Sequence, residues 1–543
     1  MDIEFVCCEK MDKAFKMAKT SARGSFHLFF GKIASTLILG ISTIVLAALI
    51  KDEELGLYSV ALIPALTLLL FQDLGVSSAI IQKCAEYLGT NNEGKLRGLI
   101  EVGLTFNATT GIILTLVSLL SANYIAPTIF GKPEAALLII VVSITILFTS
   151  LLTASQSIFI GFERMKLSSY TLVCQAIIQG ILSPLLVFLG YGAMGATIGY
   201  TLSIVFTGIF AILLLHFVIL KKLPPTQSTS SDKSQILKML LSYGLPLALS
   251  TIIIGILTNF YSFMMASLVE VAMIGNYQIA SYFGAFLAFF TYPISTALFP
   301  AFSKLNPQKE SELIKTVFAS SVKYTVLLLV PATMAMMVLS KPIIGVLYGD
   351  KWLYAAFFLT LFVINNLFSV FGNLSINSLL RGLGETKMLM KQNILTLILG
   401  IPLAFLLIPT FGIPAVILGP ILAGKPSLAW GLYYVWKKYK ITVDFNSTVR
   451  LFITSAIAAV LTYLLLNVLD TVEWIRLLVG VTFFFGIYFL ATPLIGGLNQ
   501  KEIANIKFMF SDLGIFSKIL NVVFSMLEKI VNFRQSSNKK TDA

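Results

Sequence analysis

Six apolar runs, at 33–50, 57–71, 102–120, 136–152, 201–220 and 451–469, constrain this chain more than any other feature. Each approaches or reaches the roughly 20 residues that an α-helix needs to cross a bilayer. The chain is 57% hydrophobic and only 12% charged, against about 25% charged in soluble domains. An all-α polytopic membrane protein follows.

The pattern places fourteen spans, at 26–50, 56–82, 98–122, 135–160, 168–189, 193–220, 240–268, 273–301, 316–340, 355–380, 388–409, 413–436, 449–469 and 474–495. Lys and Arg orient them. Of the 39 such residues, 32 fall on the side of the N-terminus, counting both tails; five (Lys51, Lys132, Lys341, Lys351, Arg476) fall on the other, and Lys32 and Lys425 lie inside spans. Positive charge collects on cytoplasmic loops, so both termini are expected in the cytoplasm and the chain in the plasma membrane. The net charge of +13 then reflects topology and contact with anionic membrane lipids, with no nucleic acid partner required. The N-terminal segment lacks the short apolar core and cleavage site of a signal peptide, so the first span reads as a retained signal-anchor.

The spans repeat. "GLY" at 56–58 matches "GNY" at 275–277, "GFERMK" at 161–166 matches "GLGETK" at 382–387, and "GAMGATIG" at 192–199 matches "GIPAVILG" at 412–419, with offsets of 219, 221 and 220. A duplicated six-helix unit explains the nearly constant offset, and an even number of spans gives both copies the same orientation. The expected organisation is a cytoplasmic segment 1–25, a six-helix bundle 26–220, a cytoplasmic linker 221–239, a second six-helix bundle 240–437, two extra helices in 438–497, and a cytoplasmic tail 498–543. In the tail, Lys518, Asn521, Ser525, Glu528 and Asn532 recur at helical spacing among apolar residues, the pattern of an amphipathic helix lying on the membrane.

Familiar chemistry is missing. His27 and His216 stand on different spans, and Cys7, Cys8, Cys84 and Cys174 have no metal-ligand or disulfide spacing. "GSFHLFFGK" at 24–32 has six residues between its glycines, and Ile33 follows where a phosphate loop needs Ser or Thr. The loops opposite the termini are short, the longest being 341–354. Neither a metal, nor a cofactor, nor an enzymatic site is expected.

Polar residues inside spans are costly and mark candidate function. Lys32 lies roughly 9 Å into the first span and Asp73 roughly 13 Å from the same side of the second, at about 1.5 Å per residue. Two readings stand: a compensating pair facing a water-filled cavity, or a snorkelling Lys32 with Asp73 bonded to neighbouring backbone. Lys425 sits near the middle of the twelfth span, beside Pro426, which bends a helix and frees backbone groups; an interior cationic site is favoured. The repeat equivalents of Lys32, Asp73 and Lys425 are Thr251, Tyr292 and Val205. In the tenth span Asn366, Ser369, Asn373 and Asn377 share a helical face, and in the fourth Thr149, Thr153 and Gln156 hold nearly matching positions. Such stripes either line a hydrophilic path or bind adjacent helices. The candidate translocation residues are Lys32, Asp73, Lys425, Tyr292, Gln156, Asn366, Asn373 and Asn377.

"GLYSVALIPALTLLLFQDLG" (56–75), "FQDLGVSSAIIQ" (71–82), "IFIGFERMKLSSY" (158–170) and "SLLRGLGETKM" (378–388), in this order and with two six-helix halves plus two further helices, resemble the Wzx-type polysaccharide-transport flippases. These belong to the multidrug/oligosaccharidyl-lipid/polysaccharide exporter superfamily. The resemblance covers roughly residues 20–495 and implies a MATE-like fold of two six-helix bundles around a central cavity. It also implies alternating-access flipping of a polyprenyl-linked oligosaccharide from the inner to the outer leaflet. Glycosyltransferases and a polysaccharide polymerase are then candidate partners, and H+ or Na+ candidate coupling ions. Lys32 and Lys425 would suit phosphate oxygens, although family members often carry more cavity cations than this chain. The alternatives are a cation-coupled drug or metabolite exporter, against which the thirteenth and fourteenth spans count, and a non-transporting scaffold of a glycan-assembly complex.

Overall fold

The computed structural model describes residues 27–89, 93–224, 230–303, 310–352 and 354–498, with a few single positions besides. The expected N-terminal segment 1–25 and the amphipathic helix in the tail lie outside the described residues. Among those described, all regular structure is helical. The helices are α1 (His27–Leu49), then α2 (Asp52–Leu68), α3 (Val76–Gly89), α4 (Glu93–Tyr124), α5 (Ala135–Gly161), α6 (Met165–Leu186), α7 (Gly192–Val218), α8 (Ser230–Leu268) and α9 (Val271–Ser303). There follow α10 (Ser311–Val338), α11 (Ser340–Tyr348), α12 (Ala355–Val363), α13 (Asn373–Gly382), α14 (Thr386–Phe411), α15 (Ile413–Tyr439), α16 (Phe445–Val468) and α17 (Glu473–Ile495).

Eleven stretches among the described residues are long and apolar enough to span a membrane, and the bent pair of α12 and α13 makes twelve. One of the eleven, Met165–Lys222, contains a reversal. Gly190 and Gly192 take φ of 92° and 48°, angles that a residue with a side chain rarely adopts. The chain folds back there, so that Gly195 lies against Leu186 and Gly199 against Ser183. That stretch is therefore the fifth and sixth expected spans, and α9 stands at the eighth.

Two expected continuous spans are broken. In the second, α2 ends in a 3-10 turn at Leu69–Phe71, and α3 begins only at Val76. Between them Leu74 and Gly75 take φ of 46° and 82°. In the tenth, α12 continues as a 3-10 helix, Ile364–Phe371, and Gly372 at φ 76° starts α13 in a new direction, bent by 59°. A left-handed residue cannot continue a right-handed helix, so each glycine ends one helix and frees the next to leave at an angle.

The described chain packs as two compact units, 1–278 with 404–416, and 279–403 with 417–543. In the first unit Val76, Ile80, Leu96, Leu99, Phe159, Leu215 and Leu240 form a buried cluster. Small residues let its helices approach: Gly31 of α1 meets Ser169 of α6, and Gly111 of α4 meets Ser150 of α5. Such contacts drive association where lipid removes the ordinary hydrophobic gain.

In the second unit Phe318, Val322, Val326 and Val330 of α10 join Phe484 and Tyr488 of α17 and Leu451 of α16. Tyr488 donates its hydroxyl to Leu327 O at 2.9 Å. The two helices outside the repeat are thus anchored on α10. The "GLGETK" stretch also gains a structural reason. Gly384, at φ 75°, makes the turn from α13 to α14, and the Glu385 carboxylate accepts from Tyr434 OH (2.7 Å), Tyr439 OH (2.5 Å) and Lys438 Nζ. Burial alone would raise the Glu385 pKa, but these hydrogen bonds and the Lys438 charge outweigh it and hold the pKa below its usual value.

Candidate functional site

The break in the second span is a polar junction built from three helices. Gln72, Asp73 and their neighbours lose intrahelical partners there, and buried polar groups must find others. Thr110 Oγ1 of α4 donates to Gln72 O at 2.9 Å, and Ser150 Oγ of α5 donates to Gln72 Oε1 at 2.8 Å. Asp73 Oδ1 accepts the backbone N–H of Ser77 at 2.8 Å. That N–H belongs to the first turn of α3, where a helix start leaves donors unsatisfied and favours negative charge. The junction is polar beyond what folding uses: Ser77 Oγ and Asn107 Oδ1 have no hydrogen-bond partner among the described residues.

Lys32 is not part of this junction. It is exposed on α1, whose Gly31 packs on Ser169, and no ion pair joins it to Asp73 among the described residues. Equal depth along two helices sets the height of two side chains but not the rotation of each about its axis, which decides whether they meet. Asp73→Ala should therefore cost roughly 1 kcal/mol through loss of the helix-start acceptor. Adding Lys32→Ala should change stability independently, within about 0.5 kcal/mol of additivity. Thermal unfolding of the two single variants and the double variant in detergent measures both. A double variant much more stable than additivity allows would restore the pair.

Lys425 of α15 is held at a defined position. Its Nζ donates to Asn365 Oδ1 at 3.1 Å and lies 3.3 Å from the centroid of the Phe368 ring. Both partners come from the 3-10 segment of the bent span. A cation over an aromatic face gains about 0.5–2 kcal/mol according to its hydration, and the ammonium keeps donors free for a third partner. The adjoining Pro426 is flanked by an inter-helix clasp. Gln392 Nε2 of α14 donates to Ser427 O at 2.7 Å, Ser427 Oγ donates to Gln392 O at 3.0 Å, and Thr396 and Ser427 share a 2.7 Å hydroxyl contact. Asn365 and Phe368 at Lys425, and Gln392 and Thr396 at Ser427, went unmarked by the sequence. Pro426 marked the region as a bend, but the carbonyl that it frees is that of Leu422, and the clasp on Ser427 O had no signal in the sequence.

The other expected residues are placed separately. Asn366 and Asn373 are half-buried, Ser369 is buried and Asn377 is exposed. They do not form one stripe, because three-residue turns to Phe371 and the bend at Gly372 break the helical phase. Gln156 Nε2 donates to Thr171 Oγ1 at 2.9 Å, tying α5 to α6. Tyr292 lies on α9, and its side chain is outside those described.

Comparison with known proteins follows this geometry. The family model described as polysaccharide biosynthesis protein matches residues 45–357. The chain is 20% identical over 251 residues to the probable low-salt glycan biosynthesis flippase Agl15 of Haloferax volcanii, a match spanning 46% of this chain and 53% of that relative. It is 24% identical over 356 residues to stage V sporulation protein B of Bacillus subtilis, spanning 62% and 68% of the two chains. Among solved structures, the lipid II flippase MurJ in an inward closed conformation superposes with a TM-score of 0.68 at 18% identity, over 87% of this chain and 98% of that one. An inward-facing multidrug resistance MATE family transporter gives 0.59 at 17% identity, over 75% and 94%. The fold is therefore MATE-like.

Proposed function

Because the chain belongs to the polysaccharide biosynthesis protein family, we propose that it is a transporter that turns a polyprenyl-linked oligosaccharide from the inner to the outer leaflet for surface-glycan assembly. Family membership over more than half of the chain carries this reading. The likeness to a flippase over 87% of the chain supports it, against 75% for the multidrug transporter. The drug or metabolite exporter is the second reading, and α16 and α17, anchored on α10, weigh against it.

The chemistry required is modest. The lipid tail of such a substrate stays in hydrocarbon, while its sugars and pyrophosphate need a polar route. Lys425 supplies a cation inside a span, preorganised by Asn365 and Phe368, with donors left for phosphate oxygen. Asn366, Asn373 and Asn377, the polar groups of the bent span, and Asp73 and Gln156 in the first unit are proposed to serve the sugars; Tyr292 and Lys32 complete the set. No bond is made or broken in flipping, so no enzymatic role is assigned. H+ or Na+ is the proposed coupling ion, alternating access the proposed cycle, and glycosyltransferases and a polymerase the proposed partners.

Cells depleted of this protein should lose surface glycan and accumulate its lipid-linked precursor on the inner leaflet. Unchanged surface glycan, with precursor shared evenly between leaflets, would reject the function. Both termini are proposed to be cytoplasmic, in the plasma membrane, on the Lys and Arg asymmetry. With the native cysteines replaced, an impermeant thiol reagent added to intact cells should label Asp350→Cys and spare Ser228→Cys. The reverse pattern would invert the topology.

A further inference from the structure

The loop between α4 and α5 carries the buried Lys132, only 8% exposed. Its ammonium donates to the carbonyls of Ala266, of Val269 at 3.1 Å and of Phe130 at 3.4 Å. Three donors thus meet three acceptors, and no carboxylate shares them among the described residues. Ala266 lies in the last turn of α8, where carbonyls have no intrahelical partner and the helix dipole favours a cation. The Phe130 ring adds a second tie, 5.3 Å between centroids from Phe263 of α8. A lysine from the first six-helix repeat therefore ends the first helix of the second.

The same end of the molecule holds a symmetric seam. A methyl group on Gly56 of α2 would lie 2.0 Å from Val271 O of α9, and one on Gly275 of α9 would lie 2.1 Å from Asp52 O. Each glycine sits on the backbone carbonyl four residues before the other. Gly56 and Gly275 are the repeat-equivalent glycines, offset by 219, and the contact is reciprocal. Further along α2, Thr67 Oγ1 donates to Asn259 Oδ1 of α8 at 3.1 Å. The seam thus continues down one face of α2 through Val60 and Ile63, both buried.

At its two glycines the seam brings backbone against backbone, with Val271 Cγ1 also beside Gly56. We propose that Lys132 is a removable latch, its ammonium seated on the carbonyls that end α8 and holding shut the seam of Gly56 and Gly275. When the seam opens, the ammonium and the carbonyls that end α8 exchange one another for water. This device goes beyond the flipping reading, because it concerns the contact of α2 with α9 and holds for any cargo.

The test is a cysteine reporter in the full-length protein, purified in detergent, with the native cysteines replaced. Val60→Cys, 0% exposed at the parent residue, should react slowly with N-ethylmaleimide when Lys132 is present. In Lys132→Met it should react about tenfold faster or more, the factor by which loss of charge-assisted hydrogen bonds shifts a two-state equilibrium. Ala458→Cys in α16, equally buried, should keep its slow rate. Unchanged reactivity at position 60 would overturn the latch. A parallel rise at both positions would overturn it as well, since Lys132 would then serve general stability.

Discussion

Lys425→Ala is expected to lower flipping about tenfold to hundredfold at unchanged membrane abundance, the effect of losing a hydrogen bond from a charged group worth about 1.5–3 kcal/mol. The position makes the prediction specific. Asn365 and the Phe368 ring already stabilise the ammonium, so its removal strips a charge without leaving a buried carboxylate unpaired. Abundance should therefore hold while turnover falls. Lys425→Arg keeps the charge and can stack on Phe368, so it should retain more activity than alanine. Reduced abundance of the alanine variant, with normal turnover per molecule, would assign Lys425 to packing.

The second large effect is at Gly75. Its φ of 82° costs a residue with a side chain roughly 1–2 kcal/mol. A methyl group there would also lie 2.0 Å from Gly244 O, with Gly244 in turn facing the Gly75 carbonyl. Backbone cannot rotate aside as a side chain can, so α3 and α8 must part. Gly75→Ala should deplete the folded protein, read as loss of a monodisperse peak in detergent and a fall in melting temperature. Gly40→Ala on α1, where nothing lies within 4 Å, should be neutral or slightly stabilising, because alanine favours helix by about 1 kcal/mol over glycine. Equal behaviour of the two variants would show that the break tolerates strain.

These residues mark where sequence reading succeeds and where it stops. The spans were legible because hydrocarbon thickness dictates run length, and the repeat because one offset recurs at three places. The glycine match at 56 and 275 looked like a mark of ancestry, and the fold makes it a contact. The breaks at Gly75 and Gly372 were not legible, since glycine is common in spans and its φ is set by neighbours. Once the tenth span becomes a 3-10 helix, each residue turns by more than in an α-helix. The expected stripe through Asn366 is broken there, and it is Asn365, outside that stripe, that meets Lys425. The Asp73 carboxylate accepts from the start of α3, as in the second of the two readings that its place in an apolar run left open. In the sequence Lys132 counts only as one of the five charges opposite the termini, because a lone lysine in a short loop looks like any solvated charge.

The account turns on whether this protein moves a lipid-linked sugar across a bilayer. The direct measurement uses proteoliposomes carrying a labelled polyprenyl-pyrophosphate oligosaccharide and an external reagent that modifies only the outer-leaflet glycan. Vesicles with the wild-type chain should expose the inner-leaflet pool to the reagent over time, and vesicles with Lys425→Ala should do so far more slowly. Modification that stops at the outer-leaflet fraction, identical with and without the protein, would contradict the account.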